Sequence, residues 1–201
     1  VTARVGRPFV KQYVEERELT VMLAIDCSAS TRFTTTEHSK TAIANNVAAI
    51  LAMSAMQNND KVGLILFTDE VEKFIPPKKG RSRARYLLHE LLSFRPEHRG
   101  TNVGRAIEFL RKTTHRRSVS FIISDFRTSD FERPLRLVSK RHDIIPISID
   151  DPREMEIPNV GLLTVQDLET GMSRLIDTTN RDVRRVYYEQ QQRRRSTCHF
   201  S

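Results

Sequence analysis

No stretch of this chain approaches the roughly 18 consecutive apolar residues of a membrane-crossing helix, and no secretory leader is visible. Cysteine is nearly absent. Cys27 and Cys198 are the whole complement, far apart and at no zinc spacing. That argues against a structural disulfide and a thiolate metal centre, and for a reducing, cytoplasmic compartment. Glycine occurs only seven times, and none of these forms a phosphate-cradling loop or a Gly-x-Ser-x-Gly elbow. An Asp-x-Asp nucleophile pattern is missing, as are the aromatic stacking motifs of nucleic-acid binders. These absences weigh against catalysis and against nucleic acid as the ligand.

What is present suits one compact, soluble domain: 201 residues, 38% hydrophobic and 29% charged. Net charge is +8, spread over Lys78-Lys79-Gly80-Arg81, Arg111–Arg117, Arg184-Arg185 and Arg193-Arg194-Arg195. Basic residues scattered in this way read as solvated surface, with an acidic protein or anionic headgroups as conceivable partners. The chain begins with Val1, so residues 1–18 are expected to be a lead-in from a longer protein whose upstream part could hold a membrane anchor. The domain is expected over 19–195 and a flexible tail over 196–201.

Along the chain, strands and helices alternate. A buried strand is predicted at 19–26, then a helix from about Glu37 to Asn58 with Ile43, Val47, Ile50, Leu51 and Ser54 on one face. Val62–Thr68 reads as a second buried strand, and Val71–Ile75 pairs back as an antiparallel edge until Pro76-Pro77 stops it. Leu87, Leu88, Leu91 and Leu92 stripe a helix over 81–94. Asn102 caps another, with Val103, Ala106, Ile107 and Leu110 inward. Val119–Ser124 is a strand, 128–141 a helix using Phe131, Leu135 and Val138, and Asp143–Ile149 a strand whose Pro146 places it near an edge. Gly161–Asp167 and Ser173–Asp177 form a hairpin, and a final helix starts near Asn180. This alternation requires a mainly parallel sheet with helices on both faces. Ligands of such sheets bind beyond the carboxyl ends of strands, where strand order reverses.

Asp26-Cys27-Ser28-Ala29-Ser30 closes the first strand, placing one carboxylate and two hydroxyls at that rim. Thr101 enters the same rim at a helix start, and Asp125 ends the strand Ile122–Ser124. Hard oxygen donors of this kind suit Mg2+, with Mn2+ or Ca2+ as alternatives. Asp26 and Asp125 would balance its charge, directly or through water. Without an ion the two carboxylates repel, so one should show a raised pKa. Neutral hydroxyls would leave the ion electron-poor and able to accept an outside carboxylate, which makes the site a binding device rather than a catalyst.

Asp26-x-Ser28-x-Ser30, Gly100-Thr101-Asn102 and Ile123-Ser124-Asp125 together resemble the metal-ion-dependent adhesion site (MIDAS) of von Willebrand factor A (vWA) domains. More narrowly, the chain resembles the bacterial DUF58 family, through Thr2-Ala3-Arg4, Val10-Lys11-Gln12-Tyr13 with Glu15-Glu16-Arg17, the Ile122–Phe126 strand end, and Asp167-Leu168-Glu169-Thr170-Gly171. The resemblance implies a three-layer Rossmann-like α/β vWA domain, a mainly parallel central sheet with one antiparallel edge strand. It implies that Ser28, Ser30 and Thr101 are direct ligands, that Asp26 and Asp125 act largely through water, and that a protein partner donates a Glu or Asp. The ion can be absent until that partner arrives. It also implies work beside a MoxR-type AAA+ ATPase in assembly or maturation of other proteins, and an upstream membrane-anchoring region.

Cys27 falls at a variable position of the motif and exposes a thiol to oxidation there. The six histidines, among them His38, His89, His98, His115 and His142, show no ligand spacing and read as surface or capping residues. Asp69 and Asp150-Asp151-Pro152 read as turns. Phe126 either packs under the site or offers an apolar contact at its rim. Two other functions compete with a metal-dependent protein-binding module: a metal-dependent hydrolase that activates water, and a basic nucleic-acid or membrane-surface binder.

Overall fold

In the computed structural model, residues 18–32, 39–128, 131–151, 154, 156–166 and 171–197 are described. Outside them lie the stretch 1–17, the 167–170 part of the hairpin, Cys198 and the end of the tail. The elements in chain order are β1 (Thr20–Asp26), a 3-10 turn (Ala29–Arg32), α1 (Lys40–Gln57), β2 (Lys61–Phe67), β3 (Val71–Lys78), α2 (Arg81–Ser93) and α3 (Val103–Thr113). They continue with β4 (Val119–Ser124), α4 (Glu132–Val138), β5 (Asp143–Ser148), β6 (Leu162–Gln166), β7 (Ser173–Asp177) and α5 (Arg181–Thr197). The last helix, expected to start near Asn180, runs from Arg181 to Thr197.

Five strands form one sheet in the order β3-β2-β1-β4-β5. β1 pairs in parallel with both β2 and β4, β4 pairs in parallel with β5, and β3 runs antiparallel at one edge. The chain moves outward from β1 on one side to β2 and on the other to β4. The carboxyl ends of β1 and β4 thus flank the point where strand order reverses, where a crevice opens in doubly wound sheets. β6 and β7 form a separate antiparallel ribbon.

The strand sequences explain the two-sided core. Along β1, Val21, Leu23 and Ile25 pack on one face with Leu64, Leu66, Leu87, Leu91 and the buried alanines of α1. Met22 and Ala24 point the other way, toward Ile65, Phe67, Ile107, Leu110 and Ile122. Alternate residues of a strand face opposite sides, so a central strand covered on both sides must be apolar throughout.

Four expectations need correction. α1 buries Ala44, Ala48, Ala52 and Ala55, while Ile43 and Ile50 are 39% and 67% exposed. The small methyls let the helix lie close to the sheet, and Val47 and Leu51 pack only at its flanks. Pro76-Pro77 does not end β3, which runs on to Lys78. On an edge strand a missing N–H can face away from the ladder, and the register shift between Val62 and Leu64 absorbs the extra residue. Leu92 turns outward, 70% exposed. His142 is buried, with Nδ1 2.8 Å from Ser118 Oγ, and burial holds its pKa below the usual imidazole value.

Candidate metal centre

β1 delivers Asp26 to the rim as a carboxylate that is 1% exposed. Its Oδ1 accepts the Ser28 backbone N–H at 2.9 Å, and its Oδ2 accepts Ser124 Oγ–H at 2.6 Å from the end of β4. Burial lifts its pKa from 3.8 to about 6, against hydrogen bonds from Ser124 and Ser28; repulsion from Asp125 adds a smaller push. The expected raised carboxylate is therefore Asp26, but desolvation rather than its twin is the main cause.

The chain then tightens into the 3-10 turn. Cys27 N–H donates to Phe67 O at 2.8 Å, extending the β1–β2 ladder by one residue. Thr31 Oγ1 donates to Ser28 O at 2.8 Å, and Thr41 Oγ1 of α1 donates to Thr31 O at 2.9 Å. Held this way, the Ser28 and Ser30 hydroxyl oxygens stand 3.0 Å apart.

Thr101 sits half-buried in a segment fastened on both sides. Arg99 O accepts Ala29 N–H at 2.9 Å, and Asn102 N–H donates to Thr68 O at 2.8 Å. Asn102 Oδ1 caps α3 through Arg105 N–H at 2.9 Å, as its sequence position predicts. Upstream, the Glu72 carboxylate accepts Glu97 N–H at 2.8 Å, His98 N–H at 3.1 Å and Thr68 Oγ1–H at 2.6 Å. Glu72 thereby ties the whole approach to Thr101 onto β3. Burial would raise its pKa, but these hydrogen bonds outweigh that and hold it lowered. Asp69 lies in the β2–β3 turn, as expected.

Asp125 leaves β4 with a side chain sealed from solvent. Its Oδ2 accepts Lys40 Nζ at 3.1 Å, and Arg127 Nε lies 3.6 Å from the same oxygen. Lys40 Nζ also donates to both Glu154 oxygens, at 3.0 and 3.1 Å, and Arg127 Nη2 donates to Glu154 Oε2 at 2.7 Å. Phe126, next along, has φ of +50° and is buried against Phe131, ring centroids 5.5 Å apart. The Ser124 hydroxyl accepts its N–H at 3.0 Å, which helps hold this left-handed turn. Phe126 thus packs beneath the site.

Of the five residues singled out from sequence, Asp26, Ser28 and Ser30 are joined by direct hydrogen bonds or a shared turn. Asp125 is near enough to Asp26 to repel it, and Thr101 is delivered by backbone bonds of its neighbours. Sequence reasoning missed Lys40, Glu154, Arg127 and Glu72, and gave Ser124 no role beyond its place in the Ile123-Ser124-Asp125 motif. A lysine opening a helix opposes the helix dipole, which is the one signal Lys40 offered.

The oxygens of Asp26, Ser28 and Ser30 are of the kind that a hard divalent cation takes. Magnesium–oxygen bonds of about 2.1 Å at right angles separate adjacent oxygens by about 3.0 Å, which is the Ser28–Ser30 spacing. Asp26 is a buried carboxylate with no salt-bridge partner among the described residues. A cluster of three or more His, Cys, Asp or Glu able to hold a metal is also absent among them. An ion here would depend on hydroxyls, which suits magnesium and disfavours zinc.

Known proteins match this chain over nearly its whole length. The family described as "Protein of unknown function DUF58" matches residues 1–197. Uncharacterized proteins of Mycobacterium bovis and Mycobacterium tuberculosis are 33% identical over 187 residues, covering 90% of this chain. The chain spans 59% of the length of those relatives. Among solved structures, an aerotolerance-related membrane protein from Bacteroides fragilis superposes with a TM-score of 0.62 at 20% identity, covering 85% of this chain and 87% of that one. BatB from Bacteroides thetaiotaomicron gives 0.60 at 18% identity, covering 85% of each chain. These neighbours share the vWA-type fold. No helix among the described residues is long and apolar enough to cross a membrane.

Proposed function

Because the chain belongs to the DUF58 family and has a vWA-type fold, we propose that it is a divalent-metal-dependent protein-binding module of the adhesion-site type. The observation that carries this reading is the buried carboxylate of Asp26, without a salt-bridge partner among the described residues, beside two hydroxyls 3.0 Å apart at the reversal point of the sheet. Ser28, Ser30 and Thr101 would hold Mg2+, with Asp26 and Asp125 supplying charge balance. The ion supplies an electrophilic point for a carboxylate. The protein's own residues position it: the 3-10 turn aims the serines, Ser124 fixes Asp26, and Glu72 holds the Thr101 approach.

A partner's Glu or Asp is the ligand that chemistry selects. The family resemblance supports a MoxR-type AAA+ ATPase as a component of the same system, acting in assembly or maturation of other proteins. Scarce cysteine supports a cytoplasmic setting, and the greater length of the relatives leaves room for membrane attachment through a further segment.

The test is thermal denaturation with and without Mg2+ or Mn2+. Ion at about 100 times its dissociation constant adds roughly 2.7 kcal/mol. Wild type should shift, and Ser28→Ala should not. Capture of a purified MoxR-type ATPase should likewise require the ion and Ser28. A wild-type melting curve indifferent to both ions would refute the reading.

A further inference from the structure

Lys40 occupies a position that ordinary helix energetics disfavours twice. It is a cation in the first turn of α1, where the helix dipole repels positive charge, and it is 3% exposed. Both penalties are met by its contacts: Asp125 at 3.1 Å, 85 residues away, and Glu154 at 3.0 and 3.1 Å, 114 residues away. Arg127 closes the cluster from the other side. Two carboxylates and two cations cancel. Of the two acidic residues at the candidate centre, Asp125 is therefore already paired from within, and Asp26 alone has no salt-bridge partner among the described residues.

Resting on the metal-binding reading above, we infer that Lys40 is an internal counter-cation that competes with the divalent ion for Asp125 and so sets the affinity of the site. An entering ion meets one unanswered carboxylate rather than two, and the ammonium repels it from the side of Asp125. Affinity is kept low in the isolated domain, and a carboxylate brought by a partner supplies the charge that Lys40 has taken up. The role belongs to positioning and charge: Lys40 acts on the ion through Asp125.

The experiment is titration of Mn2+, followed by the electron paramagnetic resonance signal of the free ion, against wild type, Lys40→Met, Lys40→Met/Glu154→Gln and Ser28→Ala. The double variant removes one charge of each sign and leaves Asp125 facing Arg127, so it keeps the cluster balanced if the single variant folds poorly. Circular dichroism and melting temperature are recorded in parallel. Lys40→Met should bind Mn2+ about tenfold or more tightly than wild type, and the double variant, in which Arg127 still faces Asp125, should fall between the two, while Ser28→Ala should bind weakly or not at all. If wild type binds Mn2+ and the Lys40 variants bind it equally or less well, Lys40 is only a structural ion-pair residue and the inference falls alone. If no variant binds, the metal reading falls and this inference with it.

Discussion

Asp26→Asn should make the ion-free protein more stable at neutral pH, although it removes a group placed at the centre of the site. Burial moves the Asp26 pKa from 3.8 to about 6. At 1.36 kcal/mol per unit this places the cost of keeping the carboxylate ionised at about 3 kcal/mol. Asparagine carries no charge and can still accept the Ser28 N–H through its Oδ1. Its amide nitrogen must face Ser124 Oγ, which already accepts Phe126 N–H at 3.0 Å, so the hydroxyl proton needs a new acceptor, costing about 1 kcal/mol. The net gain is about 2 kcal/mol, or roughly 4–8 °C in melting temperature for a domain of this size. The sign with pH follows from the direction of the shift. A folded-state pKa above the unfolded value gives wild type a stability contribution that is complete below about pH 4 and lost as pH rises through about 6. The gap between variant and wild type should therefore be widest above about pH 6 and close as pH falls toward about 4. Calorimetry in chelator at about pH 7.5 and about pH 4.5 measures it. A variant that melts at or below wild type at the higher pH, or a gap that does not narrow at the lower, refutes the claim that Asp26 is held under electrostatic strain. The same variant should lose the ion-induced shift, so that greater stability and lost ion response appear together.

Two further perturbations test the frame that holds the site. A methyl group on Gly63 of β2 would lie 2.6 Å from Met22 Sδ and 3.0 Å from Ile75 O. Met22 can yield but the β3 backbone cannot, so Gly63→Ala should cost about 1–3 kcal/mol by chemical denaturation; an unchanged midpoint would show that the β2–β3 edge is looser than described. Asn102→Ala removes the cap of α3 and should cost about 1 kcal/mol. Hydrogen exchange should then show faster exchange at the Arg105 amide, with the β1–β4 ladder unaffected.

The legible parts of this protein were those written locally. The apolar run of β1 followed at once by Asp26, Ser28 and Ser30, the Asn102 cap with its inward Val103, Ala106, Ile107 and Leu110, and the placement of β5 at an edge through Pro146 all come from neighbours in sequence. α1 was misread because it is apolar on more than one side. With alanine and isoleucine both recurring at helical spacing, size rather than hydropathy decides which face lies on the sheet, and that depends on how closely helix and sheet approach. Pro76-Pro77 was misread because a proline's effect on a strand depends on whether its ladder is on the far side. His142 was misread because its partner, Ser118, lies 24 residues away.

The same distinction separates the two halves of the candidate centre. The residues that would hold an ion or balance its charge lie at the end of β1, the start of α3 and the end of β4, positions that an alternating α/β pattern alone brings to one rim. The charges that tune them do not follow from the pattern. Lys40 reaches Asp125 and Glu154 across 85 and 114 residues, and nothing in the local sequence around any of the three asks for the others. Burying an ammonium without a partner is costly, so Lys40 is tolerated at the head of α1 because the fold brings two carboxylates to it. Topology thus determines where an ion could sit, while on the inference drawn for Lys40 long-range ion pairing sets how strongly it would be held. Residues that govern affinity in such sheets should accordingly be sought in the helices that abut the rim, and not only in the strand-end motif.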